Sequence, residues 1–316
     1  MSAAAPAAVD ILCMGEPMLE LNQRPADAEG RVSYLEGHGG DTSNAAVAAA
    51  RQGARAGYIT AIGEDRPGRS LLALWQREGV DTGTVLRRAD APTGMYVVTH
   101  DAEGHHFTFY RRDSAASRYG VQDVPEAAIR AARVLHVSGI SQAISTSACD
   151  AVFHAIAVAK AAGVRVSYDT NLRLALWPAR RAAAVIHAAV AEADIALPSL
   201  DDAQALTGIE APEAIADFYL RLGCPLVLLK CGRDGVLLAT PETRLCIPPC
   251  RVEAVDATGA GDTFAGAFLA RTMLGDAPEA AARYANAAAA LSTTGFGAVA
   301  PIPHRAAVEA LLQTSG

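Results

Sequence analysis

The chain has 316 residues, 51% apolar but only 5% aromatic, with 27 Lys and Arg against 34 Asp and Glu for a net charge of −7. That length allows one large α/β domain or two ordinary ones, and small aliphatic residues must build the core. The acidic excess argues against a dedicated nucleic-acid binder, and 19% charged residues without long charge runs argue against disorder.

The first ten residues, MSAAAPAAVD, have no basic segment leading into an apolar run, so no secretory signal is expected. Residues 9–15 (VDILCMG) read as a buried strand, 42–53 as a helix of small residues ending at Gly53, and 56–62 as a second strand. An amphipathic helix follows over 69–78, stopped by Gly79. Strands at 133–137 and 164–169 bracket a helix over 146–162, and apolar runs at 195–198 and 226–230 are separated by helical segments. This alternation predicts βαβ units with helices on both faces of a parallel sheet. Residues 16–38 and 94–112 break it with short strands and turns, and read as a small β lid. Such a lid would cover a site at the C-terminal ends of the central strands. Without a low-complexity linker or repeat, residues 1–316 read as one domain. The longest uncharged run, 284–303, is interrupted by Asn286, Gly295, Gly297 and Pro301, so it predicts a buried helix and loop rather than a membrane span. Six cysteines without a C-x-x-C pair read as buried thiols, and a cytoplasmic protein is expected.

The most informative stretch runs from Val255 to Phe268, with Gly259-Ala260-Gly261-Asp262 at its centre. Three small residues let backbone approach a ligand, and the helical period after Asp262 places their amides at a helix N-terminus, which binds anions. Asp262 then lies beside the anion, where a carboxylate can take a proton from a hydroxyl attacking a phosphoryl group. The alternative is a helix N-cap. Arg111 follows the β-like run 105–110, and Arg173 follows the strand ending at Asp169. Two arginines near one pocket suit a carboxylate, hence an acidic sugar; surface salt bridging is the alternative, and is favoured for Arg112.

The Asp256–Asp262 run resembles the D-T-x-G-A-G-D signature of the ribokinase-like (PfkB) carbohydrate kinases, with Ala257 in place of the threonine. Gly39-Gly40-Asp41-Thr42-Ser43-Asn44, followed by Gly53 and Gly63, resembles that family's N-terminal signature. The resemblance spans essentially the whole chain. It implies a ribokinase-like three-layer α/β sandwich with a central, mostly parallel sheet and a small β lid. It also implies a sugar kinase that uses ATP and Mg2+. Gly259, Ala260 and Gly261 would form an anion hole and Asp262 the catalytic base. Lys230, Gly232 and Gly235 resemble the K-x-G-x-x-G turn beside the nucleotide, and Asn286 falls near the adenine; a plain hairpin and a plain helix are the alternatives. Ser199-Leu200-Asp201-Asp202 stands where the family has N-x-x-E, leaving Asp202 to orient metal-bound water. A monovalent cation, K+, is implied near Asp256 and Thr258. Flap strands in the family meet across a dimer interface, so a homodimer is expected.

Further stretches are similar to 2-keto-3-deoxygluconate kinases: Gly15 to Glu20, Phe109-Tyr110-Arg111, His136 to Ser141, and Asp169 to Arg173. Their arginines imply that Arg111 and Arg173 meet the acid end of the sugar, with Gly40, Asp41 and Asn44 at its hydroxyls. Phe109 stands where a tyrosine is usual, so Tyr96 or Tyr110 is expected to supply the hydroxyl. The expected reaction is ATP-dependent phosphorylation of 2-dehydro-3-deoxy-D-gluconate to its 6-phosphate. The rivals are a kinase for a neutral sugar such as fructose or ribose, and a non-catalytic sugar- or nucleotide-binding regulator on the same fold.

Overall fold

Ile11–Met14 forms β1, four consecutive buried residues, as expected of a strand covered on both faces. The computed structural model describes residues 9–101 and 104–314. After β1 come β2 (Met18–Gln23), β3 (Tyr34–Gly39), α1 (Asp41–Arg51), β4 (Ala56–Gly63), α2 (Arg66–Glu78), β5 (Val85–Arg88), β6 (Met95–Asp101) and β7 (Gly104–Tyr110). The middle third holds α3 (Glu126–Ala131), β8 (Val134–Ser138), α4 (Gly139–Ala143), α5 (Thr146–Ala161), β9 (Arg165–Asp169), α6 (Ala179–Ala191) and β10 (Ile195–Ala196). Then follow α7 (Leu200–Thr207), α8 (Pro212–Arg221), β11 (Val227–Lys230), β12 (Val236–Ala239), β13 (Arg244–Ile247), α9 (Ala260–Met273), α10 (Pro278–Ser292) and α11 (Arg305–Thr314).

The large sheet has the order β13-β12-β11-β10-β9-β8-β1-β4-β5, parallel except at β12 and β13. Strand alternation sorts its side chains into two cores. Ile11, Cys13, Tyr58 and Leu228 pack with α1, α2, α9 and α10, whereas Leu12, Met14, Ile59 and Leu229 pack with α5, α6 and α8. The result is the expected α/β three-layer architecture. Helix ends follow local chemistry: Asp65 caps α2 by accepting from Gly68 N at 2.8 Å, so α2 starts three residues before the predicted helix, and Gly79 ends it at φ 73°. The strand predicted at 195–198 is only two residues long, because Pro198 has no amide to donate to a ladder. The short strands β5, β12 and β13 were not legible as separate elements.

The second sheet has the order β3-β2-β6-β7. Its register pairs Glu20 with Tyr96 and Tyr96 with Phe109, so these three share one face, while Leu19, Met95 and Tyr110 share the other. Helix α2 holds the latter face, through Ser70 with His38 (2.9 Å) and Glu36 (2.6 Å). The C-terminal ends of β1, β8, β9 and β11 point toward the starts of α1 and α9, the position where open α/β sheets bind ligands. Among the described residues, no helix is long and apolar enough to cross a membrane.

Candidate active site

Gly259 starts α9 at φ 75°, and a Cβ there would lie 2.9 Å from the Ala298 carbonyl oxygen, so the turn demands glycine. Asp256 binds the two neighbouring loops together: Oδ1 accepts from Thr258 N (2.9 Å) and Oγ1 (2.6 Å), and Oδ2 from Gly297 N (2.9 Å). Thr263 N closes on Gly259 O at 2.8 Å, and Ala260 N donates to Ala257 O at 3.2 Å. Ala260 therefore departs from the expected trio of anion-hole donors. Among the described residues, no backbone acceptor takes up the amides of Gly261 or Asp262, which remain available at a helix start.

Asn44 projects from α1 and donates to Asp262 Oδ2 at 2.8 Å, joining two residues 218 positions apart. Helix α1 is anchored by Gly40 at φ 107°, where a Cβ would fall 2.3 Å from Glu16 O. Next to Gly40, the buried Asp41 accepts from Asn171 Nδ2 at 2.9 Å and keeps Oδ1 without a hydrogen-bond partner; Asn44 Oδ1 is likewise unpaired. Asn171 holds φ 28° in the loop leaving β9, and its amide donates to Asp169 Oδ1 at 3.2 Å. Burial, then the nearby Asp41 and Asp169, push the Asp262 carboxyl up to about 7 against the pull of Asn44 and Lys230. Burial raises Asp41 as well. Lys230 donates to Asp169 Oδ2 at 2.6 Å, and its Nζ lies 3.3 Å from where a Cβ on Gly261 would sit.

The two arginines differ from the expected pair. Arg111 is ion-paired with Glu16, whose side chain is fully buried and also accepts from Ser114 Oγ at 3.2 Å; Arg111 Nε is buried without a partner. Arg173 is exposed, donates to Leu172 O at 2.7 Å, and its charge acts on Asp41 and Asp202. Tyr96 donates to Glu20, stands beside Phe109 with ring centroids 5.6 Å apart, and feels the charge of Asp262. Tyr110, on the opposite face and 60% exposed, is not in the cluster.

A carboxyl whose hold on its proton is raised by burial, beside free helix-start amides and a lysine, is an arrangement for moving a proton next to a bound anion. The sequence pattern of the pfkB family carbohydrate kinases matches residues 10–305. The chain belongs to the PfkB family of carbohydrate kinases. It is 33% identical to a 2-dehydro-3-deoxygluconokinase of Bacillus subtilis (strain 168), over 94% of this chain and 93% of that protein. It is 35% identical to fructokinase-1 of Oryza sativa subsp. japonica, over 90% of each. Among solved structures it resembles a PfkB protein from Polaromonas sp. JS666 (31% identity, 96% of this chain and 100% of that one, TM-score 0.87). It also resembles an E. coli protein described as a ribokinase II, in complex with ATP and Mg2+ (26% identity, 97% and 99%, TM-score 0.89). The protein is a sugar kinase with the ribokinase-like fold.

Other expected residues of this PfkB kinase make structural contacts of their own. Gly235, at φ 87°, abuts the Ile247 carbonyl, 2.1 Å from where its Cβ would be, and Asn286 Nδ2 donates to Pro248 O at 2.8 Å. Gly235 thus packs the end of β13 against the hairpin turn, which also holds Gly232 (φ 58°), and Asn286 ties the following segment to α10. For Asn286 this structural bond departs from the expected contact with adenine. Ser199 caps α7 by accepting from Asp202 N at 3.3 Å, and Asp202 Oδ2 accepts from Leu172 N at 3.0 Å, holding the loop that carries Arg173. Asp202 thus acts on backbone, and burial raises its carboxyl above the usual range. Among the described residues, no group of three or more His, Cys, Asp or Glu side chains could hold a metal ion. Sequence reasoning missed Glu16, Glu20, Asp169 and Asn171. All four lie within stretches marked by the family resemblance, or next to them in the strand pattern, but no role for them was legible there.

Proposed function

We propose that this kinase transfers the terminal phosphoryl group of ATP to the terminal hydroxyl of 2-dehydro-3-deoxy-D-gluconate, giving the 6-phosphate and ADP. The observation that carries the phosphotransfer reading is Asp262, held by Asn44 at 2.8 Å beside the open amides of α9. Asp262 takes the hydroxyl proton as the oxygen–phosphorus bond forms and the bond to the leaving ADP oxygen breaks. The amides of Gly259, Gly261 and Asp262 face the charge that develops on the phosphoryl oxygens. Mg2+, for which the described residues form no carboxylate cage, is read as part of the nucleotide substrate and neutralises phosphate charge when bound. Asp256 and Thr258 first order their own loop, and a K+ requirement at that loop is carried with the reading.

Asp41 and Asn44 offer unpaired buried oxygens that sugar hydroxyls satisfy, Gly40 leaves room for the sugar beside them, and Tyr96 rather than Tyr110 replaces the absent tyrosine at Phe109. Arg173 is free to turn onto a carboxylate, and the similarity to 2-dehydro-3-deoxygluconokinases supports an acid substrate. The small sheet acts as a lid that excludes water during transfer. A cytoplasmic location is part of the proposal, as a compartment that supplies ATP.

The pairing of Arg111 with Glu16 favours a second reading, a neutral ketose such as fructose, because that arginine already has its carboxylate. A panel of sugar acids and neutral sugars, with ADP release as readout, separates the two. Arg173→Ala should raise KM for the acid sugar about tenfold or more, the loss of a charged hydrogen bond, with little change for fructose. Unchanged kinetics on the acid sugar would remove the acid-binding role.

A further inference from the structure

We propose that Lys230 contacts the phosphoryl group being transferred, and that Asp169 is its positioning residue, tying the sugar-side loop to the phosphate side. The inference rests on the phosphotransfer reading but not on which sugar is used.

Strand β10 lies between β9 and β11 in the sheet and stops at Ala196. The chain continues between the ends of β9 and β11, with Leu197 N on Tyr168 O at 2.9 Å and Ser199 bridged to Lys230, so those ends stand about 10 Å apart at two strand spacings. Lys230 N bonds Pro198 O at 2.8 Å, which fixes the backbone at the end of β11. From there the lysine stem reaches back across the intervening segment to Asp169 at 2.6 Å. Both side chains are removed from water, at 14% and 6% exposure.

The ammonium is not placed merely to satisfy Asp169. It lies 3.3 Å from the position of a Cβ on Gly261, at the start of α9, where the helix dipole is positive and the amides of Gly261 and Asp262 are open. The ammonium has three donors and bonds Asp169, and a further anion is favoured at that positive helix end. A phosphoryl group meets all three donors together. Lys230 also sets a cation beside Asp169 and Asp262, so it offsets part of the negative field an incoming phosphate would meet.

Asp169 fixes that lysine and is itself fixed. Its Oδ1 accepts from Asn171 N at 3.2 Å, and Asn171 Nδ2 binds Asp41 at 2.9 Å. The chain Asp41–Asn171–Asp169–Lys230 runs from the sugar end of the crevice to the helix start. Movement of the sugar-side loop is thereby transmitted to the phosphate donor.

The test compares Lys230→Met, Lys230→Arg, Asp169→Asn and the double variant Lys230→Met/Asp169→Asn in the full-length chain, on whichever sugar the wild type turns over best. Removing a transition-state donor lowers kcat by roughly 10²–10³; that loss is expected for Lys230→Met, with KM for ATP changed less than about fivefold. Lys230→Arg should recover about a tenth of the rate. Asp169→Asn should lose about tenfold, and the double variant should be no slower than Lys230→Met, because the two act as one unit. The acid limb of kcat/KM should move up in Lys230→Met, which loses the cation near Asp262, and down in Asp169→Asn. A Lys230→Met enzyme within threefold of wild-type kcat, or a loss confined to KM for ATP, overturns the proposal. If Lys230→Met does not fold, equal rates for Lys230→Gln and Lys230→Arg overturn it instead. Failure to phosphorylate a sugar acid overturns the substrate reading and leaves these ratios untouched.

Discussion

Asp262 is the residue at which burial and charge oppose each other most plainly. Burial and the carboxylates of Asp41 and Asp169 hold its proton on to about pH 7, while Asn44 and Lys230 favour the anion; Tyr96 also faces it. As a base it works only when ionised, so kcat/KM should fall about tenfold per pH unit below an acid limb near 7, measured as a pH–rate profile. Asp262→Asn should lower kcat by about 10²–10⁴. The stability consequence has the opposite sense. A carboxyl raised from 3.8 to about 7 on folding contributes stability that is complete below pH 3.8 and lost as pH rises through 7. Asp262→Asn should therefore melt a few degrees higher than wild type at pH 8, the gain shrinking toward zero near pH 4, as read by calorimetry across pH. An unchanged Tm at pH 8 would mean that Asp262 is solvated enough to ionise without cost.

Helices α1 and α9 show how an element sets the chemistry of a side chain. Gly266 on α9 meets α1 so closely that a Cβ would fall 2.2 Å from Ala45 O and 2.6 Å from Ala48 Cβ. This backbone-to-backbone approach is what brings Asn44 within 2.8 Å of Asp262. The alanine-rich composition of both helices follows from that packing, since larger side chains would separate them. Gly266→Ala should thus cost about 1–3 kcal/mol by overpacking, despite the better helix propensity of alanine. It should also lower kcat, because the Asn44–Asp262 bond would lengthen. Chemical denaturation and steady-state kinetics on one sample check both halves. A variant that loses stability with full kcat would show that the helix spacing and the site are independent.

At the scale of the whole molecule, the small sheet presents two faces of different character. One is fastened to α2; the other carries Tyr96 and Glu20 toward the site and, farther out, Leu35 and Phe109 at 59% and 48% exposure. Phe109 stacks with Phe107 at 6.1 Å, extending the apolar strip. A second copy of the chain packing on this face would cover the strip, which is how the homodimer expectation is carried forward. Leu35→Glu should then shift the protein from dimer to monomer in light scattering at micromolar concentration. A wild type that runs as a monomer would remove the dimer.

The sequence by itself determined the α/β class, the order of the main elements and the two glycine-rich segments, because strand runs, helical periods and glycines at forced turns are local properties. It also placed Asp41, Asn44, Arg173 and Asp262 as candidates from short motifs. Only the tertiary structure decided which of these meet. Strand register put Tyr96 and not Tyr110 beside Phe109, since one residue's shift reverses the face. Burial gave Arg111 to Glu16 and the Asn286 amide to Pro248, partners 95 and 38 residues away that no local pattern reveals. The register of β9, β10 and β11 brought Lys230 to Asp169 across the sheet. Local chemistry is written along the chain, whereas pairing across it depends on packing distances that exist only once the two cores have formed.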